Sequence, residues 1–252
     1  MQYLVLRPES KCRQTCEFLT AAGIDCVGIP LMKTVALDDA LQRIQAVVSQ
    51  LQADDIVLVT STVTGAQISA SLQQCYAQKA GFKTYAIGAS SAKSLNLSNE
   101  LVSVPDIETS EGLLALLSSH RIDPKKQGQK IYIFKGVGGR DLLHTELLKQ
   151  GFSVIEVNTY KRAINNQWVA TVPWQHHNID CALASSGELL DAAFSDTKLC
   201  SDWLRSLPWV VVSRRMAKRA LQMGIKRVFV SDGASNAAFL AAINKYSGEL
   251  HD

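Results

Sequence analysis

The chain has 252 residues, 47% hydrophobic and 19% charged, with a formal net charge of +3. This is the composition of an ordinary globular protein with material for about two domains, and it excludes a disordered or low-complexity chain. The balance is too mild for a nucleic-acid binder, no run approaches the ~20 apolar residues of a membrane span, and the apolar run in the opening MQYLVLRPES is too short for a signal peptide, so a cytoplasmic protein is expected.

Short apolar or β-branched runs predict strands near residues 3–6, 27–29, 56–59, 84–87, 102–104, 130–134, 154–157, 181–184, 209–212 and 227–230. Helix-length segments separate them. Leu37, Leu41, Ile44, Val48 and Leu51 recur at three and four, which is one helix face, and Leu143, Leu147 and Leu148 run up to Gly151, a helix stop. Strict alternation of strand and helix, with continuously apolar strands, implies parallel sheets covered on both faces. The fold class is α/β, each half an open doubly wound domain of five short strands. A polar joint at 123–129 is the obvious place for a cut, or else a surface loop inside one domain.

The halves repeat. VPDIETSEGLLALL from Val104 and VSDGASNAAFLAAI from Val230 share their pattern and start 126 positions apart, half the chain. The strand before Arg7 pairs with the strand before Lys135, and Gly23 with Gly151. The run from Asp55 to Ser61 pairs with that from Asp180 to Ser186, and the run ending at Gly88 with the run ending at Ser213. The expectation is therefore two similar parallel-sheet domains, duplicated, facing each other across a cleft.

In parallel α/β sheets ligands bind at the carboxyl ends of strands. The residues that follow the predicted strands are Arg7; Thr60, Ser61 and Thr62; Ser90 and Ser91; Ser110; Lys135, Gly136, Gly138 and Arg140; Ser185 and Ser186; Ser213 and Arg214. Small hydroxyls and glycines at helix starts suit anions, because free N–H groups and the positive dipole end converge there. Taken singly, each Ser or Thr reads first as a helix N-cap. The loop from Lys135 to Arg140 is a generic anion loop that lacks the full phosphate-loop and dinucleotide patterns. The six cysteines read as small hydrophobes in a reducing compartment, and His176-His177 has no third ligand at zinc spacing, so no metal is expected. No serine lies in GxSxG and no histidine in a triad context.

Taken in order, the pieces Leu6-Arg7-Pro8, Ile29-Pro30-Leu31, Val59-Thr60-Ser61, the run from Ala86 to Ala92, the run from Thr109 to Leu114, the run from Gly136 to Asp141, the run from Val157 to Arg162, Ser185-Ser186-Gly187 and the run from Val211 to Arg215 resemble uroporphyrinogen-III synthase, over nearly the whole chain. The resemblance implies closure of the linear tetrapyrrole hydroxymethylbilane to uroporphyrinogen III, with inversion of the last ring through a spiro intermediate and without a cofactor. It implies one domain of residues 1–33 plus 164–252, an inserted domain of 34–163, and linkers near 31–35 and 160–165. It also implies a tyrosine proton donor at Tyr160; a phenol stays protonated at neutral pH and can donate. Val63 and Thr64, Ala184 and Met216 depart from the residues common in relatives, which favours backbone N–H groups as ligands. The expected partner is the small-molecule tetrapyrrole, with the chain a monomer that meets the enzyme supplying its substrate transiently. Two other readings stay open: a two-lobed binding protein for an anionic metabolite, and a nucleotide or flavin enzyme using the loop from Gly136 to Gly139.

Overall fold

The computed structural model describes residues 1–78, 81–124, 128–138, 141–165, 178–195 and 201–251. The chain forms two compact units, Met1–Lys33 with Ala163–Asp252, and Thr34–Arg162.

The discontinuous unit holds strands β1 (Gln2–Leu6), β2 (Asp25–Ile29), β9 (Ile179–Ala184), β10 (Trp209–Val211) and β11 (Val228–Val230), in the order β11-β10-β9-β1-β2. All their pairings are parallel. Its helices are α1 (Glu9–Ala21), α7 (Gly187–Ser195), α8 (Ser201–Ser206), α9 (Arg214–Gln222) and α10 (Asn236–His251). Alternate strand residues feed opposite faces. Leu4, Leu6, Ala182, Ala184, Trp209 and Val211 join one apolar cluster, while Tyr3, Val5, Cys181, Leu183 and Val210 join another with Phe239. Both faces are dry, which is why the strands read as unbroken apolar runs.

The continuous unit holds β3 (Met32–Ala36), β4 (Ile56–Val59), β5 (Lys83–Ala86), β6 (Val102–Ser103), β7 (Lys130–Gly136) and β8 (Ser153–Ile164), in the order β3-β8-β7-β4-β5-β6. Strands β4 to β8 pair in parallel. Its helices are α2 (Ala40–Ser49), α3 (Thr62–Gln78), α4 (Ala89–Ser94), α5 (Ser110–Ser119) and α6 (Leu142–Lys149). Val57, Val59, Tyr132 and Phe134 pack on one face, and Ile56, Leu58, Ile131 and Ile133 on the other.

The duplication is visible in the topology. The sequence pairs β1 with β7, β9 with β4, β10 with β5 and β11 with β6. Laid in space, β2-β1-β9-β10-β11 runs in the same order as β8-β7-β4-β5-β6. One sheet is thus a circular permutation of the other. Gly23 and Gly151 end equivalent helices at φ +81 and +91. In both, the next residue's N–H reaches back into the helix, Ile24 to Leu19 and Phe152 to Leu147, a left-handed stop that glycine supplies without a Cβ penalty.

Several expectations change. The continuous unit has six strands rather than five, because the edge strand β3, Met-Lys-Thr-Val-Ala with no residue fully buried, carries no apolar run to signal it. β8 extends well past 157. Leu41 is exposed and Ala40 takes its place on the buried face of α2; Leu148 is exposed as well. Residues 123–129 lie inside the continuous unit, between α5 and β7, with 125–127 outside the described residues. So are His176, His177 and Cys200. The thiols of Cys12 and Cys16 meet over Gly28, at 2.8 and 2.6 Å from where its Cβ would lie.

Candidate active site

In the continuous unit the chain runs from β4 outward to β5 and β6, then returns to place β7 on the other side of β4. The crevice between the carboxyl ends of β4 and β7 is the switch point, where such sheets bind ligands. Thr60 ties it shut from below: its backbone N–H and its hydroxyl each donate to the Phe134 carbonyl at 3.2 Å. Above lies a cavity of about 240 Å³, lined by Thr60, Ile87, Ser110, Ile133, Lys135, Gly136, Val137, Gly138, Leu143, His144, Glu156, Tyr160 and Arg162.

Tyr160 is 8% exposed and stands opposite Gly136, where the pairing of β7 with β8 slips by one residue. Its ring covers the spot a Gly136 side chain would fill, with Cε2 only 2.6 Å from an ideal Cβ. Glycine is required there so that the ring can lie flat against the backbone. The Tyr160 carbonyl accepts the Val137 N–H at 2.7 Å, fixing the turn that leads to Gly138 at φ +78.

Lys135 was expected to be a ligand for substrate carboxylate. Instead its ammonium donates to Glu156 at 2.9 Å and to Asp141 at 3.0 Å. Burial pulls its pKa down, but the two carboxylates together lift it above the ordinary lysine value. His144 Nδ1 lies 3.9 Å from the same Glu156 oxygen.

Of the residues singled out in the sequence, the cavity gathers Thr60, Ser110, Lys135, Gly136, Gly138 and Tyr160. Ser61 caps α3 by accepting the Thr64 N–H, and Thr62 opens that helix, exposed. Ser90 is exposed and Ser91 buried in the first turn of α4, whose Ala89 N–H is already taken by the Glu108 carboxylate at 3.0 Å. Arg140 lies outside the described residues.

Arg7, Ser185, Ser186, Ser213 and Arg214 sit at the carboxyl edge of the other unit's sheet. Ser186 and Ser213 cap α7 and α9. Arg214 is exposed. Arg7, expected on the substrate, is instead buried: it donates to Thr15, Asn236 and the Ala234 carbonyl, each at 2.8 Å, and lies 5.6 Å over the Phe239 ring. Burial holds its pKa below the usual arginine value.

The sequence reading missed His144, Glu156 and Arg162. The signal for two of them was present: Glu156 and Arg162 lie at even steps from Tyr160 and point to the same face once β8 is read as a long strand. Among the described residues no group of histidine, cysteine or carboxylate side chains could hold a metal ion, and no helix is long and apolar enough to cross a membrane.

Fold and cavity together define a duplicated parallel α/β protein with a cavity at the switch point of one sheet, the place where sheets of this kind bind small molecules. The sequence model of uroporphyrinogen-III synthase (HemD) matches residues 14–241. The uroporphyrinogen-III synthase of Salmonella typhimurium is 29% identical over 250 residues, spanning 96% of this chain and all of that one. That of Escherichia coli K12 is 32% identical over 165 residues, 63% of this chain and 65% of that one. A mutant uroporphyrinogen III synthase of the extreme thermophile Thermus thermophilus superimposes with a TM-score of 0.59 over 99% of this chain and 100% of that one, at 16% identity, and shares its fold. This chain belongs to the uroporphyrinogen-III synthase family.

Proposed function

We propose that this protein converts hydroxymethylbilane to uroporphyrinogen III by a cyclising dehydration that inverts the last ring, in tetrapyrrole biosynthesis. The observation that carries the reading is the tyrosine laid on Gly136 in the switch-point cavity of a chain whose relatives are synthases of this name. The relatives favour it over a binding protein without chemistry.

At about 240 Å³ the cavity is smaller than pockets that engulf a whole ligand. It takes the reacting end of a tetrapyrrole, with the rest held outside. The Tyr160 hydroxyl gives the departing hydroxyl its proton. Backbone N–H groups around Ser110, Gly136 and Gly138 hold carboxylates, since Lys135 is already neutralised by Glu156 and Asp141. Positioning supplies most of the acceleration, because the substrate closes unaided to the uninverted isomer and the protein has only to hold the other geometry. The protein acts as a cytoplasmic monomer.

The test is the isomer ratio. Hydroxymethylbilane is generated in situ, the protein added, and the oxidised products separated. Isomer III rising with protein concentration supports the reading. Isomer I alone, at the unaided rate, refutes it.

A further inference from the structure

The proposed reaction moves two protons, and one tyrosine accounts for one of them. The first is given to the departing hydroxyl. The second leaves at the end. In the inverting route the last ring first attacks through its substituted carbon; the bond from that carbon to its old bridge then breaks, and the freed bridge carbon rejoins the ring at the carbon that carried hydrogen in the linear substrate. When the new carbon–carbon bond forms there, the carbon–hydrogen bond must break, its electron pair must return to the ring, and a base must take the proton.

We infer that His144, beside Glu156, is that base, an inference that rests on the synthase reading. His144 and Tyr160 line the same cavity. His144 projects from α6 and Tyr160 from β8, so they are independently positioned. Imidazole is the side chain that changes charge between pH 5 and 8, and its neutral form accepts a proton under ordinary conditions. Its Nδ1 lies 3.9 Å from Glu156 Oε1, long for a hydrogen bond but within ion-pair reach. Catalytic contacts of this kind tighten when substrate is bound. With Nδ1 turned to the carboxylate, Nε2 on the far side of the ring is left for the substrate. Glu156 is itself pinned by Lys135 at 2.9 Å, so the carboxylate that orients the imidazole is fixed. As the imidazole takes the proton, the neighbouring carboxylate stabilises the cation that forms. The imidazolium then returns its proton to the Tyr160 oxygen, and both groups are reset for the next turnover.

Among the described residues, the charged and titratable groups around His144 are Lys135 on β7, Glu156, Tyr160 and Arg162 on β8, and Asp141 at the start of α6; α5 contributes the neutral Ser110. Lys135 spans Glu156 and Asp141, which fixes the carboxylate beside the imidazole.

The experiment uses the whole chain with hydroxymethylbilane carrying either hydrogen or deuterium on the free carbon of its last ring. Wild type, His144→Gln and His144→Asn are compared from pH 5.5 to 8.5, with circular dichroism confirming the fold of each. The wild-type rate of isomer III formation is expected to fall as pH drops through the imidazole range. Both variants should lose that limb and run about a hundredfold slower. Removal of the base makes proton loss limiting, so an isotope effect should appear in the variants that wild type lacks. A structural or purely substrate-holding histidine would slow the reaction without creating an isotope effect, and that result overturns the inference. So do variants that keep the wild-type rate and acid limb. If wild type makes only isomer I, the synthase reading falls first and takes this inference with it.

Discussion

Gly136→Ala separates a catalytic Tyr160 from a merely packed one. The added methyl would lie 2.6 Å from Cε2 and 2.9 Å from Cε1 of the ring, and closer still to Cζ. Comfortable carbon contacts lie at ~3.5–4.0 Å, so the ring must retreat by about 1 Å. The contact falls on the outer end of a side chain, which can swing, so the stability cost is that of ordinary overpacking, about 1–3 kcal/mol. A chain of this size then melts roughly 2–4 °C lower per kcal/mol. The hydroxyl sits beyond Cζ and moves with it. Displacing a reacting group by about 1 Å costs on the order of a hundredfold in rate. The assay is the initial rate of isomer III formation beside a thermal melt. Gly136→Ala should lose about a hundredfold in kcat for a modest drop in Tm. In a Tyr160→Phe background the same substitution should cost little further activity, because the two act through one group. Wild-type kcat in a Gly136→Ala protein that shows the expected loss of Tm would refute the reasoning, as would additive losses in the double variant.

Arg7→Lys keeps the charge but loses the fork that reaches Thr15, Asn236 and Ala234 at once, and should cost about 3 kcal/mol in urea unfolding while leaving KM unchanged; a raised KM in a stable protein would return Arg7 to the substrate. The raised pKa of Lys135 makes its ion pairs a stability contribution that is complete below the unfolded lysine value of 10.5 and is lost as pH climbs through the higher folded value. Urea unfolding of wild type and Lys135→Met should therefore differ by a constant amount from pH 7 to about 10 and converge above it; convergence already near pH 8 would contradict the pairing.

Most of the architecture was legible because buried parallel strands carry a loud signal. β4 is Ile-Val-Leu-Val with every residue buried, and nothing but a sheet interior asks for that. The duplication was legible because both copies keep the same strand-loop-helix sequence. What failed was quieter. β3 packs on one side only and its polar residues break the pattern. The outer half of β8 carries Lys161 and Arg162, which read as a loop. Within the site, types were legible and partners were not. A lysine after a strand looks free until Glu156, twenty-one residues away, is folded beside it. Arg7 looks like a ligand until Asn236, from the far end of the chain, closes over it. Both facts are long-range pairings, which local periodicity does not encode. His144 was hidden differently, as one polar residue on a helix read for its leucines.

The permuted order of the two sheets sets the sequence of events as the chain leaves the ribosome. β1 is an inner strand of its sheet, yet it emerges first, and its partner β9 appears only after the whole continuous unit has been made, more than a hundred residues later. At a synthesis rate of ~5–20 residues per second this is a wait of roughly ten seconds or more, with one hydrogen-bonding edge of a hydrophobic strand unpaired. The continuous unit is complete first and can fold on its own segment. Its first and last strands, β3 and β8, are neighbours in the sheet. Its folding therefore draws residues 33 and 163 together, and the Asn165 N–H can reach the Leu31 carbonyl at 2.7 Å. A long, entropically expensive loop is replaced by a short one before the split unit has to close. The insertion thus acts as an intramolecular folding guide for the unit it interrupts.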